Sequence, residues 1–293
     1  MIFIIFSIFL SSYLTLAFKV WQRLNISSFQ GIVFNYLTCV VVGSIVNGHY
    51  PIHSIRDGEK WLPWSLLMGS MFIALFNLIA YVTRKMGVAI ASVTNKLSLI
   101  VPFLFATYFY GDSATWVNYV GIILALVAVA LTCWPHKQID DSSLPVIHGP
   151  KLFIPIILFI GSGMLDTLIT YTERTFLNVS NKDAYLILTF SVAGLIGIMI
   201  LLYQFVTKKD LFSWRAVLAG IAIGIPNYFS IQTLMIALDQ YAGRASFVMP
   251  VVNIGIVLFS TIVAFYVFRE KLSKLNWTGI FLSVIAILLL SYR

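Results

Sequence analysis

The sequence predicts an all-α integral membrane protein with ten transmembrane helices, arranged as two inverted five-helix repeats. Three observations predict it: a composition too apolar for a water-facing surface, ten long apolar runs, and a resemblance between the two halves of the chain. The 293 residues are 60% hydrophobic and 10% charged, whereas a soluble domain carries about 25% charged residues. So few polar side chains could not cover a soluble domain; a bilayer removes the need. Within lipid only helices and closed barrels satisfy every backbone hydrogen bond. Barrel strands would alternate apolar and polar residues, but stretches such as Ile280–Leu290 are continuously apolar, so the spans are helical.

A span needs about 20 mainly apolar residues to cross roughly 30 Å of hydrocarbon. The first run covers residues 2–20. No cation precedes it, no small-residue cleavage site follows it, and Lys19 and Arg23 come after it, so it reads as a retained span and not a signal peptide. The next four runs are 29–46, 64–83, 87–109 and 115–133; the last five are 152–171, 184–206, 214–236, 243–267 and 275–291. Trp21, Trp61, Trp64, Trp116, Trp134, Trp214 and Trp277 all fall at run ends, where an indole ring meets the headgroups. Two connectors are longer than the rest, 47–63 and 135–151. The second holds Pro135, Asp140, Asp141, Ser142, Ser143 and Pro145, and divides the chain into a first five-span unit (1–134) and a second (152–293).

The two units resemble each other. At a shift of 158 positions Asn95 meets Asn253, Asn118 meets Asn276, Gly121 meets Gly279, and Gly111-Asp112 meets Arg269-Glu270. At a shift of 153, Leu24-Asn25 meets Leu177-Asn178. Matches among Val, Ile and Leu carry little information in so apolar a chain; the Asn and Gly pairs carry more. Five spans is an odd number, so the second unit inserts upside down relative to the first. Inverted repeats of this kind build many secondary transporters, with the site near the midplane between the halves.

Polar groups inside the runs mark candidate site residues. A charge at the bilayer centre costs a few kcal/mol or more and faces a cavity or a partner. Lys96 in the fourth run and Asp166 in the sixth are mid-span. The expectation is that Lys96 attracts an anionic group of a substrate, and Asp166 a cationic group or a proton; a structural ion pair is the competing reading. Ser162, Asp166, Thr170 and Glu173 share one helical stripe, which makes Asp166 and Glu173 the proton-coupling candidates. Ser12, Thr15 and Lys19 form a stripe on the first run, and Ser246, Asn253 and Ser260 one on the ninth, with Pro250. Asn35, Asn77, Tyr81, Asn95, Asn227, Gln232 and Asn253 complete the set of expected substrate-binding residues, against the alternative that they bond helices together. Pro102, Pro226 and Pro250 lie inside runs, where proline kinks a helix.

Other functions lack a signal. The net charge of +8 sits in short clusters between apolar runs, the pattern of membrane-surface cations and not of nucleic-acid binding. Cys39 and Cys133 show no metal or disulfide spacing. His49, His53, His136 and His148 are all in connectors, Glu270 reads as an interfacial charge between Arg269 and Lys271, and no catalytic, nucleotide-binding or metal motif is present. The expected partners are therefore a small-molecule substrate and membrane lipids, with no cofactor, no metal and no enzymatic activity; a monomer is consistent with the sequence, which fixes no oligomeric state. Connectors on one side hold 12 Lys plus Arg against 6 on the other, counting Arg293. By the positive-inside rule this places both termini outside the cytoplasm.

The stretch from Met249 to Leu290, with Pro250 in the ninth run, Glu270 after it and Gly279 early in the tenth, resembles the drug/metabolite transporter superfamily, EamA-like branch. The first half is more distant: Ser92 stands where the family has a proline, and Gly111-Asp112 where it has Gly-Glu. The resemblance extends over nearly the whole chain. It implies ten spans, a cavity between the halves, transport of amino acids or related compounds, commonly export, and a place in the bacterial cytoplasmic membrane with both termini cytoplasmic, opposite to the charge count. A sugar or carboxylate uptake permease is the alternative within transport; a membrane scaffold or intramembrane enzyme is the alternative outside it.

Overall fold

The computed structural model describes residues 2–56, 58–109, 111, 115–132, 153–178, 181–207, 211–240, 245–290 and 292. Twelve helices occur among them: α1 (Ile2–Arg23), α2 (Ser28–Val46), α3 (Ile52–Arg56), α4 (Leu62–Met86), α5 (Val88–Leu97), α6 (Ile100–Phe109), α7 (Trp116–Thr132), α8 (Phe153–Phe176), α9 (Lys182–Val206), α10 (Trp214–Gln240), α11 (Ala245–Tyr266) and α12 (Lys274–Leu290). No strand occurs among the described residues. Seven helical segments are long and apolar enough to cross a membrane, α5 and α6 together making one of them; α7, α12 and Val251–Tyr266 of α11 are shorter apolar helices. The connector 135–151, Asp112, Cys133, Trp134, His136 and His148 lie outside the described residues, as do the side chains of Ser246 and Pro250.

Helix ends follow local chemistry. Pro63 sits in the first turn of α4, where its missing N–H is no loss. Gly87, at φ 104°, separates α4 from α5. The fourth expected span is broken at Ser98 and Leu99. Pro102 cannot donate to the Ser98 carbonyl, so Val101 N–H bonds that carbonyl instead, at 2.9 Å, and the helix restarts as α6. The end of α11 is a Schellman turn: Arg269 adopts φ 54° and Glu270 N–H reaches back to the Ala264 carbonyl at 3.1 Å. Gly111, its match at the 158-residue shift, has φ 69°.

Small residues let helices approach closely. A Cβ on Gly220 would lie 2.7 Å from the Gly31 carbonyl oxygen, and one on Gly224 2.7 Å from that of Asn35. The pair Gly220 and Gly224, four apart, therefore seats α10 on α2. Gly69 plays the same part where α4 meets the Thr189 carbonyl of α9. Between α1, α2, α4, α9 and α10 lies the largest core, with Tyr36, Phe72 and Phe190 stacked in it and Trp61 edge-on to Tyr185.

The α7–α12 pair is reciprocal. Asn118 at the start of α7 donates to the carbonyls of Leu289, Leu290 and Tyr292 at the end of α12, at 2.8–3.1 Å. Asn276 at the start of α12 donates to Leu131 and Thr132 at the end of α7, at 3.3 and 2.8 Å. Each asparagine also accepts from the residue three before it, Thr115 or Ser273. A Cβ on Gly121 would crowd Leu290, and one on Gly279 would crowd Thr132. The two helices are thus antiparallel, and both ends of α12 follow the matching ends of α7 by 158 residues. Elsewhere the pairings also recur on exchange of the halves: α2 packs on α10 as α9 does on α4, and α1 on α10 as α8 does on α4.

Candidate functional site

Lys96 stands in the last turn of α5, directly before the break at Ser98. Opposite it is Asp166 on α8. Gly163, one turn earlier on α8, packs onto Val101 and the Ser98 carbonyl with no room for a Cβ. That close approach brings Asp166 to the break. The Ser98 hydroxyl donates to the Asn95 carbonyl and stands beside the Asp166 carboxylate. Lys96 and Asp166 are within electrostatic reach of one another, yet no contact within 4 Å joins them as an ion pair. Broken helices at the midplane leave unpaired backbone groups and helix-end dipoles available to a ligand. Here the C-terminal end of α5 and the N-terminal end of α6 meet beside one cation and one anion.

The remaining expected residues fall into three groups. Asn95, beside Lys96, is half-buried; Asn253 on α11 is buried, at 6% exposure. Among the described residues neither side chain has a hydrogen-bond partner. Gln232 on α10 is half-buried in the same way. Asn35 and Asn227, by contrast, are bonded to each other across α2 and α10 at 3.1 Å, and Asn227 also meets Cys39; they join helices. Asn77 donates to the Ile73 carbonyl of its own helix at 2.7 Å, and Tyr81 is 37% exposed. Glu173 pairs with Lys182 at 3.4 Å at the turn between α8 and α9. It stands about two turns along α8 from Asp166.

Two further residues were not among the expected site residues. Ser98 is one serine among many in apolar runs, and only the break created by Pro102 gives it a role. Glu270 reads in sequence as a surface charge, but it is 10% exposed and pairs with Lys19 at 3.3 Å. Its carboxylate accepts the Val88 N–H at 3.0 and 3.1 Å and the Ala89 N–H at 3.5 Å. The signal that could have found it is Gly87: a glycine opening a helix across from an acidic residue.

A cleft of about 420 Å³ lies between α4, α6 and α8, lined by Trp64, Met71, Val101, Phe105, Met164 and Tyr171 among others. It is almost wholly apolar. Met164 and Leu67, both in its lining, are strongly exposed, so the cleft opens on the outer flank of the bundle. Asp166 lies on the opposite face of α8 from the Met164, Leu168 and Tyr171 stripe.

No family model matches the chain. A search of curated proteins finds an uncharacterized protein of Haemophilus influenzae, 27% identical over 294 residues, spanning 99% of this chain and 97% of that one. Among solved structures, one titled only as the crystal structure of a protein superposes with a TM-score of 0.63 at 14% identity, over 98% of this chain and 94% of its own. At that identity the likeness is one of fold.

Proposed function

We propose that the chain is a secondary transporter of a small metabolite, an amino acid or related compound, built as ten spans in two inverted five-helix repeats. The observation that carries the reading is the pairing of Lys96 with Asp166 at a broken helix: opposite charges in reach of each other but not in contact. A substrate bearing a carboxylate and an ammonium group would meet both. The reciprocal asparagine bonds of α7 and α12 support the inverted repeat, because only two units of opposite orientation place each asparagine on the other's helix end. The resemblance of the stretch from Met249 to Leu290 to EamA-like transporters supports the same reading. Export across the bacterial cytoplasmic membrane is the direction this reading adopts. The α7 and α12 helices, at 17 residues each, cover about 25 Å at 1.5 Å per residue, the short end of the range for a span.

The test is a thermal-shift screen of the purified protein against amino acids, sugars, nucleosides and cationic drugs, followed by flux in proteoliposomes with each stabilising compound. Lys96→Met and Asp166→Asn are expected to lower flux at least tenfold, a barrier change of about 1.4 kcal/mol, and to abolish the ligand's thermal shift. Full flux in both variants with only a lowered Tm would reduce the pair to a structural lock.

A further inference from the structure

The Lys19–Glu270 contact lies at the junction of three helices. Lys19 is in the last turns of α1, Glu270 follows α11, and the Glu270 carboxylate occupies the N-terminus of α5. An N-terminal helix end favours a carboxylate through its free N–H groups and its dipole. Gly87 makes the approach possible: a Cβ there would meet Glu270 Oε2 at 2.9 Å. Arg23 adds a second strut between α1 and the end of α11, donating to the Phe268 carbonyl at 2.8 Å and lying 4.8 Å over the Phe268 ring. The helix held in this way is α5, whose other end carries Lys96.

At the opposite end of the bundle Asp112, the match of Glu270, lies outside the described residues. At the 153-residue shift Thr172 stands where Lys19 does, and its hydroxyl bonds to the Leu168 carbonyl of its own helix. A threonine cannot form an ion pair, so the Lys19 position carries a charge in one half of the chain only.

We propose that Lys19, Glu270 and the N-terminus of α5 form a gate that closes this end of the bundle, and that its release frees the half-helix bearing Lys96. The proposal rests on the transport reading above. In a transporter the two ends open alternately, and a contact joining α1, α11 and α5 must break before the Lys19 end can open. Glu270 is on this account a positioning residue, acting on Lys96 through α5.

The reporter is Ser92→Cys, buried in the middle of α5, in a Cys39→Ala, Cys133→Ala background. A membrane-impermeant thiol reagent is applied to vesicles from the side on which exposed Lys85→Cys labels. Lys19→Met and Glu270→Gln are expected to speed labelling of Ser92→Cys at least tenfold. The Gln variant keeps an acceptor for Val88 N–H, so it isolates the charge from the cap. The exchange Lys19→Glu with Glu270→Lys is expected not to restore slow labelling, because a lysine cannot sit on a helix N-terminus. Unchanged labelling in both single variants overturns the gate, as does restoration by the exchange. Ser260→Cys, on the facing helix, serves as reporter if Ser92→Cys does not fold. Faster labelling without flux of any compound would keep the gate and remove the transport reading; flux with unchanged labelling would do the reverse.

Discussion

Two ionisable side chains in a bilayer interior need a reason. No direct contact joins Lys96 and Asp166 as a close ion pair, and the proposed substrate supplies the reason instead. They were legible in the sequence because any charge in a run of Val, Ile and Leu stands out. Asn35, Asn77 and Asn227 stood out equally, but a lone polar residue does not reveal whether it faces a cavity, its own backbone or a neighbouring helix. Only the three-dimensional packing separates Asn95 and Asn253, which have no partner among the described residues, from Asn35 and Asn227, which are bonded together. Asn118 and Asn276 were legible in another way. Their match at a fixed shift is a polar identity in an apolar background, and it coincides with two equivalent cross-helix caps. Asn118→Ala strands three carbonyls at the end of α12 and is expected to destabilise the protein by about 2 kcal/mol. Asn276→Ala is expected to have a similar effect at the other end of the pair. Thermal denaturation in detergent reads both. A difference of several-fold between them would argue against the equivalence of the two positions.

Among elements, the spans were easier to read than their interruptions. Apolar runs mark the long helices, and most expected bounds agree with them to within a few residues; seven are long and apolar enough to cross a membrane. The break between α5 and α6 was not read as a break, although Pro102 was named as a kink. Three proline-bearing runs look alike in sequence, yet α10 continues through Pro226 as one helix. What differs is the surroundings: Gly163 lets α8 press against the Ser98 carbonyl that Pro102 leaves without its usual donor. The short α3 within the connector 47–63 was also not foreseen. Helix contact in the membrane depends on close backbone approach, and Gly220 and Gly224 supply it between α10 and α2. Gly224→Val would drive a side chain into Thr38 and the Asn35 carbonyl. It is expected to lower the Tm well beyond the change caused by Gly48→Ala; at Gly48 a Cβ meets nothing, although φ is 80°. Equal Tm changes for the two variants would show that the α2–α10 contact is not tightly packed in the membrane.

At the scale of the molecule, helix contacts recur when the two halves of the chain are exchanged: α2 packs on α10 as α9 does on α4. The exchange is imperfect at two places. One half has a broken helix with Lys96, while its counterpart α11 continues through the same region; one end has Lys19 on Glu270, while the other has Thr172 in place of the lysine. Alternating access, as proposed, requires two ends that close by turns, and the Lys19–Glu270 contact would hold one of them closed at rest. The central claim is that Lys96 and Asp166 bind a transported metabolite. Counterflow in proteoliposomes tests it most directly: vesicles are loaded with an unlabelled amino acid that stabilises the protein, and uptake of its labelled form is followed. The expected result is saturable accumulation by the intact protein, reduced at least tenfold by Lys96→Met and by Asp166→Asn. Accumulation no greater than in protein-free vesicles, for every compound that raises the Tm, would contradict it.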